Sequence, residues 1–244
     1  MGFTLVQGAA REAVGLIVRS PFRWIAAVLT FLVLSEGVMF IPYVGFLLKL
    51  LIGSLLAAGM IKLLEQAAGG EPPRVSRVFS GFGLPMGAKS TLFAGALIPF
   101  AAGIAYLYFR SGHSGIAYFF GNVLRDERPT PKDFQAFKTV MYTVATPLVF
   151  VAAAVVLNRL SGWTAFETAI KAAVRHWPAP LTVLAMNLAF ERIVVAALQS
   201  LPQGSAGPAT GILVIVYLAW SFAFTYSLAV RALSPDREAV LEAA

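Results

Sequence analysis

Residues 22–41 and 43–64 are two apolar runs separated only by Pro42. At 20 and 22 residues, each is long enough to carry a helix across ~30 Å of hydrocarbon at ~1.5 Å rise per residue. The gap between them leaves no room for a domain, so they predict a tight antiparallel hairpin inside a bilayer. Runs of similar character recur at 88–109, 139–157, 178–199 and 209–233, which makes six predicted spans. Pro147 is expected to bend the fourth.

Two segments carry a different period. In 3–19, Phe3, Val6, Ala10, Ala13, Val14 and Ile17 recur at helical spacing, with Gln7, Arg11 and Arg19 off that stripe. In 162–177, Glu167, Lys171 and Arg175 stand at i, i+4 and i+8, opposite Phe166, Ile170, Ala173, Val174 and Trp177. Both patterns predict amphipathic helices lying on the membrane surface. Each precedes a proline (Pro21, Pro178) and a two-span hairpin, so 3–66 and 162–233 share a plan. Val18-Arg19 aligns with Val174-Arg175 at an offset of 156. Residues 1–21 lack the compact apolar core and cleavage site of a signal peptide, so the first span is expected to remain as an anchor.

Composition agrees with this pattern and narrows it. The 244 residues are 58% hydrophobic and 13% charged, with a mean hydropathy of +0.76. A soluble domain carries about 25% charged residues. The fold class is therefore all-α, a single polytopic membrane helix bundle of about six spans and two surface helices, because lipid offers no partner for open backbone groups. Cysteine is absent, which excludes disulfides and thiol chemistry, and His113 and His176 are too few for a histidine-based metal site. No metal or cofactor is expected. The net charge of +7 is assigned to Lys and Arg meeting anionic lipid headgroups on the cytoplasmic face, and not to nucleic acid. With the N-terminus inside, twelve of the 19 Lys and Arg fall on the cytoplasmic side and five outside, all of those in the 110–138 loop. The expected setting is an inner membrane with both termini cytoplasmic.

Between the spans, 65–87 reads as a polar loop punctuated by Gly69-Gly70 and Pro72-Pro73, and 110–138 as the longest polar stretch, with Arg125, Asp126, Glu127 and Arg128. An uncharged turn, 200–208, is expected before the last span. Small residues Gly45, Gly53 and Ala57 line the second span around Lys49, and Gly95, Pro99 and Gly103 line the third. Such stripes let a second helix approach closely.

Four ionisable residues fall inside spans: Glu36, Lys49, Glu191 and Arg192. Counted from the outer helix ends, all four lie in a slab roughly 5 Å thick in the outer half of the membrane. An unpaired charge at mid-bilayer costs ~2.5–3.5 kcal/mol or more, so pairing is the default. Glu36 pairs with Lys49 across the hairpin in this reading. Arg192 then turns to Glu36 or to Glu191 of a neighbouring turn or helix, and Asn187 lies one turn away. Two interpretations remain open: a polar site for an anionic or zwitterionic ligand or a proton relay, and a charge network that fixes helix packing.

Other motifs carry less. Gly87-Ala88-Lys89-Ser90-Thr91 lacks the glycine before lysine and the preceding strand of a phosphate-binding loop. Ser111-Gly112-His113-Ser114-Gly115 has no third catalytic member. No paired-carboxylate motif appears in a span, so no enzymatic activity is expected.

The Ile41-Pro42-Tyr43-Val44-Gly45 turn, the Ala57-Ala58-Gly59-Met60 helix end, and Gly70-Glu71-Pro72-Pro73 leading to Val78-Phe79-Ser80-Gly81-Phe82 resemble the YciC-like bacterial inner-membrane proteins. The membrane domain attached to some glycerophosphodiester phosphodiesterases is similar. The likeness covers the first third of the chain; beyond it, only the architecture is shared. It implies six spans, a role in envelope maintenance and no catalytic residue. The functional expectation is a non-enzymatic membrane protein that supports the envelope, a partner complex or its own oligomer. The alternative is a small-solute or lipid transporter or channel built on the charge cluster.

Overall fold

The computed structural model describes residues 2–41, 44–117, 130–200 and 203–233. Among the described residues the regular structure is helical throughout: α1 (Gly2–Val18), α2 (Pro21–Gly37), α3 (Gly45–Ala68), α4 (Met86–Ala117), α5 (Pro131–Ala145), α6 (Val151–Leu157), α7 (Gly162–Arg175), α8 (Pro178–Ser200) and α9 (Gln203–Leu233). Six stretches among the described residues are long and apolar enough to cross a membrane: Pro21–Phe40, Gly45–Ala68, Met86–Gly112, Lys132–Leu157, Pro178–Ser200 and Gly207–Leu233. The chain is a multi-pass all-α membrane bundle. Pro42, Tyr43, the Arg125–Arg128 charges and the tail from Ser234 lie outside the described residues.

The repeated plan is present. Pro21 opens α2 after α1, and Pro178 opens α8 after α7, proline's fixed φ and missing N–H both suiting a helix's first turn. Helix α3 is the hub, packing on α2, α4, α6 and α9. Helix α8 is the outlier: 6% of its spanning window is buried in protein, against 22% to 39% for the other five.

The fourth span differs from its sequence reading. Its helix begins at Pro131, not 139, capped by the Thr130 hydroxyl, which accepts from the Asp133 N–H at 3.2 Å. Phe134, Phe137 and Met141 (i, i+3, i+7) then lie against α4 around Phe100 and Leu107. This placement draws Lys138 out of the expected outer loop and into the bundle. Gly103 makes the contact feasible, since a Cβ there would stand 2.6 Å from the Phe137 ring. At Pro147 the span passes through a 3₁₀ turn, Thr146–Leu148, before α6. The last span also starts earlier than expected, with α9 helical from Gln203 and Pro208 inside it.

The small-residue stripe of the second span is approached closely at Gly45 and not at Gly53. Gly53 faces open space, and Gly45 lies under the Val38 and Met39 carbonyls of its own turn. A tighter contact is at Gly59. The expected 65–87 loop contains a 3₁₀ segment, Val75–Gly83, whose Val78 and Gly81 are buried against α3. A Cβ on Gly59 would run into the Val78 carbonyl, and one on Gly81 into the Leu55 carbonyl. The two backbones touch with no side chain between them.

Helix α1 has three sides rather than two. Leu5, Ala9, Ala13 and Leu16 are buried, and α1 packs chiefly on α9. Phe3, Val14 and Val18 are exposed on an apolar flank, and Arg11 and Arg19 on a polar one. The expected stripe through Phe3, Ala13 and Val14 therefore splits between protein and lipid. Trp24, fully buried, ties α2 to α1 by donating its indole N–H to the Leu16 carbonyl at 2.9 Å.

Candidate functional site

The in-membrane charges occupy two places. Glu36 lies in the last turn of α2 and Lys49 in the second turn of α3. The Lys49 Nζ donates to Oε1 and Oε2 of Glu36 at 2.7 and 2.8 Å. The hairpin pair expected from the sequence is present. With side-chain exposures of 31% for Lys49 and 52% for Glu36, it sits at the edge of the bundle.

The second place is an inward stripe of α8. Asn187 and Glu191 are four residues apart and share a face, while Arg192 points about 100° away. Glu191 accepts from the Lys138 Nζ at 3.0 and 2.8 Å and from the Tyr142 hydroxyl at 3.0 Å. Lys138 and Tyr142 are themselves i and i+4 on α5, and the Lys138 Nζ lies 5.5 Å above the Phe134 ring. One turn along α8, Asn187 Oδ1 accepts from the Tyr217 hydroxyl of α9. Tyr217 stacks on Phe190 of α8, with ring centroids 3.7 Å apart. Glu191 and Asn187 thus fasten α8 to α5 and α9.

Two cavities meet at this stripe. One of about 150 Å³ is lined by Gly95, Tyr142, Thr146, Val183 and Asn187. The other, about 270 Å³, is lined by Ala57, Ala153, Val183, Asn187, Ser221 and Thr225. Asn187 borders both, and Tyr142, Thr146, Ser221 and Thr225 add hydroxyl-bearing side chains to an otherwise largely apolar lining. The arrangement offers hydrogen-bonding groups for a small polar guest and a self-neutralised carboxylate beside it. No nucleophile with an adjacent base is assembled there among the described residues. Nor does any group of three or more His, Asp or Glu among them stand together to hold a metal ion.

Arg192 departs from its sequence assignment. It pairs with neither Glu36 nor Glu191. Its side chain is exposed and has no hydrogen-bond or ion-pair partner among the described residues. The partner that Glu191 does take, Lys138, is hidden in the sequence because it closes the polar 110–138 stretch. A signal is nonetheless present in Phe134, Lys138, Met141 and Tyr142, which keep helical spacing ahead of the apolar run. Thr91, at the end of the Gly87–Thr91 motif, serves the fold instead. Its hydroxyl accepts from the Gly162 N–H at 2.7 Å and donates to the Gly87 carbonyl.

No family model, curated protein or solved structure matches this chain. Fold and site together define a polytopic all-α membrane protein whose spans are fastened pairwise by hydrogen-bonded polar groups.

Proposed function

We propose that this is a non-enzymatic inner-membrane protein, both termini cytoplasmic, that acts by docking laterally onto another membrane helix through α8. The observation that carries the reading is Arg192, a guanidinium with no partner among the described residues, on the least covered span. Ionisable residues in spans almost always face protein or a water-filled cavity, because the cost at mid-bilayer is ~2.5–3.5 kcal/mol or more. Arg192 also lies in a row with Ala185, Ala189, Ala196 and Gln199, all exposed, at spacings of four and three. Small residues there let a second backbone approach, and the guanidinium selects a partner with a carboxylate at its depth. The Lys and Arg distribution supports the orientation, and the resemblance of the first third of the chain supports a role in the envelope.

Because the chain has no cysteine, Ala189→Cys and Ala196→Cys variants carry single reactive thiols. Bifunctional cross-linking in native membranes is expected to trap each of them, and Arg192→Leu to abolish trapping without altering expression. A product of twice the 26.1 kDa chain mass identifies self-association, and another mass a different partner. Absence of any Arg192-dependent product overturns the reading.

The two cavities meeting at Asn187 favour a second reading, passage or binding of a small polar solute. Asn187→Leu removes the amide that borders both. Under that reading it abolishes uptake of the solute into vesicles while cross-linking at Ala189 persists; under the docking reading uptake is absent from the start.

A further inference from the structure

A cleft of about 520 Å³ opens between α1 and α9, lined by Gly8, Arg11, Glu12, Gly15, Arg19 and Arg231, with the end of α3 at Ala68. Among the described residues that line it, three guanidiniums face one carboxylate, which leaves two positive charges. The single acid does not quench them. Glu12 Oε2 stands 3.5 Å from the Arg231 Nε, and neither atom forms a hydrogen bond although both are buried. The guanidiniums of Arg11 and Arg19 have no acceptor among the described residues.

The cleft is built to hold Arg231 in place. Its side chain is 17% exposed and its guanidinium lies on bare backbone, since a Cβ on Gly8 would sit 2.9 Å from Nη1 and 3.0 Å from Cζ. Gly15, one heptad along the same flank of α1, meets nothing within 4 Å. Glycines thus form the floor, and arginines at positions 11 and 19 form the walls. Around the helix from this flank, Val14, Ile17 and Val18 border a wholly apolar groove of about 470 Å³ with Trp24, Ile212 and Trp220. Helix α1 therefore divides a basic cleft from a lipid-facing groove.

We infer that the cleft is a binding site for a phosphomonoester at the level of the lipid headgroups. Guanidinium forks match phosphate oxygens two at a time, which a zwitterionic or neutral headgroup cannot exploit equally. A phosphomonoester carries about −1.5 to −2 charges near neutral pH, close to the two left over among the described lining residues. The phosphate group belongs either to a lipid such as phosphatidic acid, its chains in the adjoining apolar region, or to a soluble ester. This inference does not depend on the docking of α8.

The test uses the full chain in phosphatidylcholine nanodiscs, with phosphatidic acid titrated in and retention read by native mass spectrometry. Phosphatidic acid is expected to bind about tenfold more tightly than phosphatidylcholine, with that preference lost in an R11Q/R19Q variant. Both side chains are exposed, so thermal stability should not move; if it does, R11K/R19K, which keeps the charge but loses the guanidinium forks, and Gly8→Leu, which displaces Arg231, should each still lower the preference. Glycerol 3-phosphate competing at similar concentration assigns the site to soluble esters, and failure to compete assigns it to lipid. Equal retention of the two lipids, or an unchanged preference in the arginine and glycine variants, overturns the inference.

Discussion

Gly59→Ala is expected to remove most of the folded protein, while Gly53→Ala, on the same helix, leaves stability unchanged or slightly raised. In an open helix the exchange favours alanine by ~1 kcal/mol, and Gly53 faces open space. At Gly59 that gain meets a wall. The new methyl would enter the Val78 carbonyl of the 3₁₀ segment, and a backbone group cannot rotate aside as a side chain does. Overpacking costs ~1–3 kcal/mol where side chains can give, and more where the backbone must move. Separation of α3 from Val75–Gly83 would also uncover Val78, Leu55 and Leu56. Thermal unfolding in detergent micelles checks the pair, with Gly81→Ala as the reciprocal case. A Gly59→Ala protein as stable as wild type would mean that the segment does not rest on the helix.

The second large effect belongs to Glu191. Its carboxylate accepts from Lys138 and Tyr142, so Glu191→Leu leaves a lysine and a hydroxyl without their acceptor. The expected loss is ~1–3 kcal/mol, the scale of leaving hydrogen-bonding groups without their acceptor, since the Lys138 side chain is 36% exposed and only the carboxylate is well covered. Adding Lys138→Met should recover most of it, since two apolar residues of similar volume replace an ion pair at little cost. Glu36→Gln should lose no more than ~1 kcal/mol, because that pair is half exposed at the bundle edge and Lys49 can turn toward the interface. Denaturation of the single and double variants gives the coupling directly. Equal losses at Glu36 and Glu191 would contradict the different burial of the two carboxylates, 52% and 24% exposed.

Parts of this site are readable residue by residue. Glu36 and Lys49 flank one short turn, so matched depth on adjacent antiparallel helices is enough to pair them. Asn187 and Glu191 are placed on one face by their spacing alone. The partner of Glu191 is not readable in the same way, because α5 is 53 residues from it in sequence at Lys138. Equal depth admits several partners, and only the packing of α5 on α4 selects one. The 3₁₀ segment is hidden for a related reason: Val75–Gly83 reads as a polar loop until Gly59 supplies a surface bare enough to receive it.

The number of spans, their approximate lengths and the helical class follow from residue order, since the cost of carrying backbone and side chains into lipid is set by local composition. The same holds for the pairing within a hairpin. Which helix lies at the centre, which charge finds a partner and which is left outward were decided only in three dimensions. Those outcomes rest on close approach between segments far apart in the chain, at Gly59 and Val78, Gly103 and Phe137, Gly8 and Arg231. No periodicity in one segment records the shape of another.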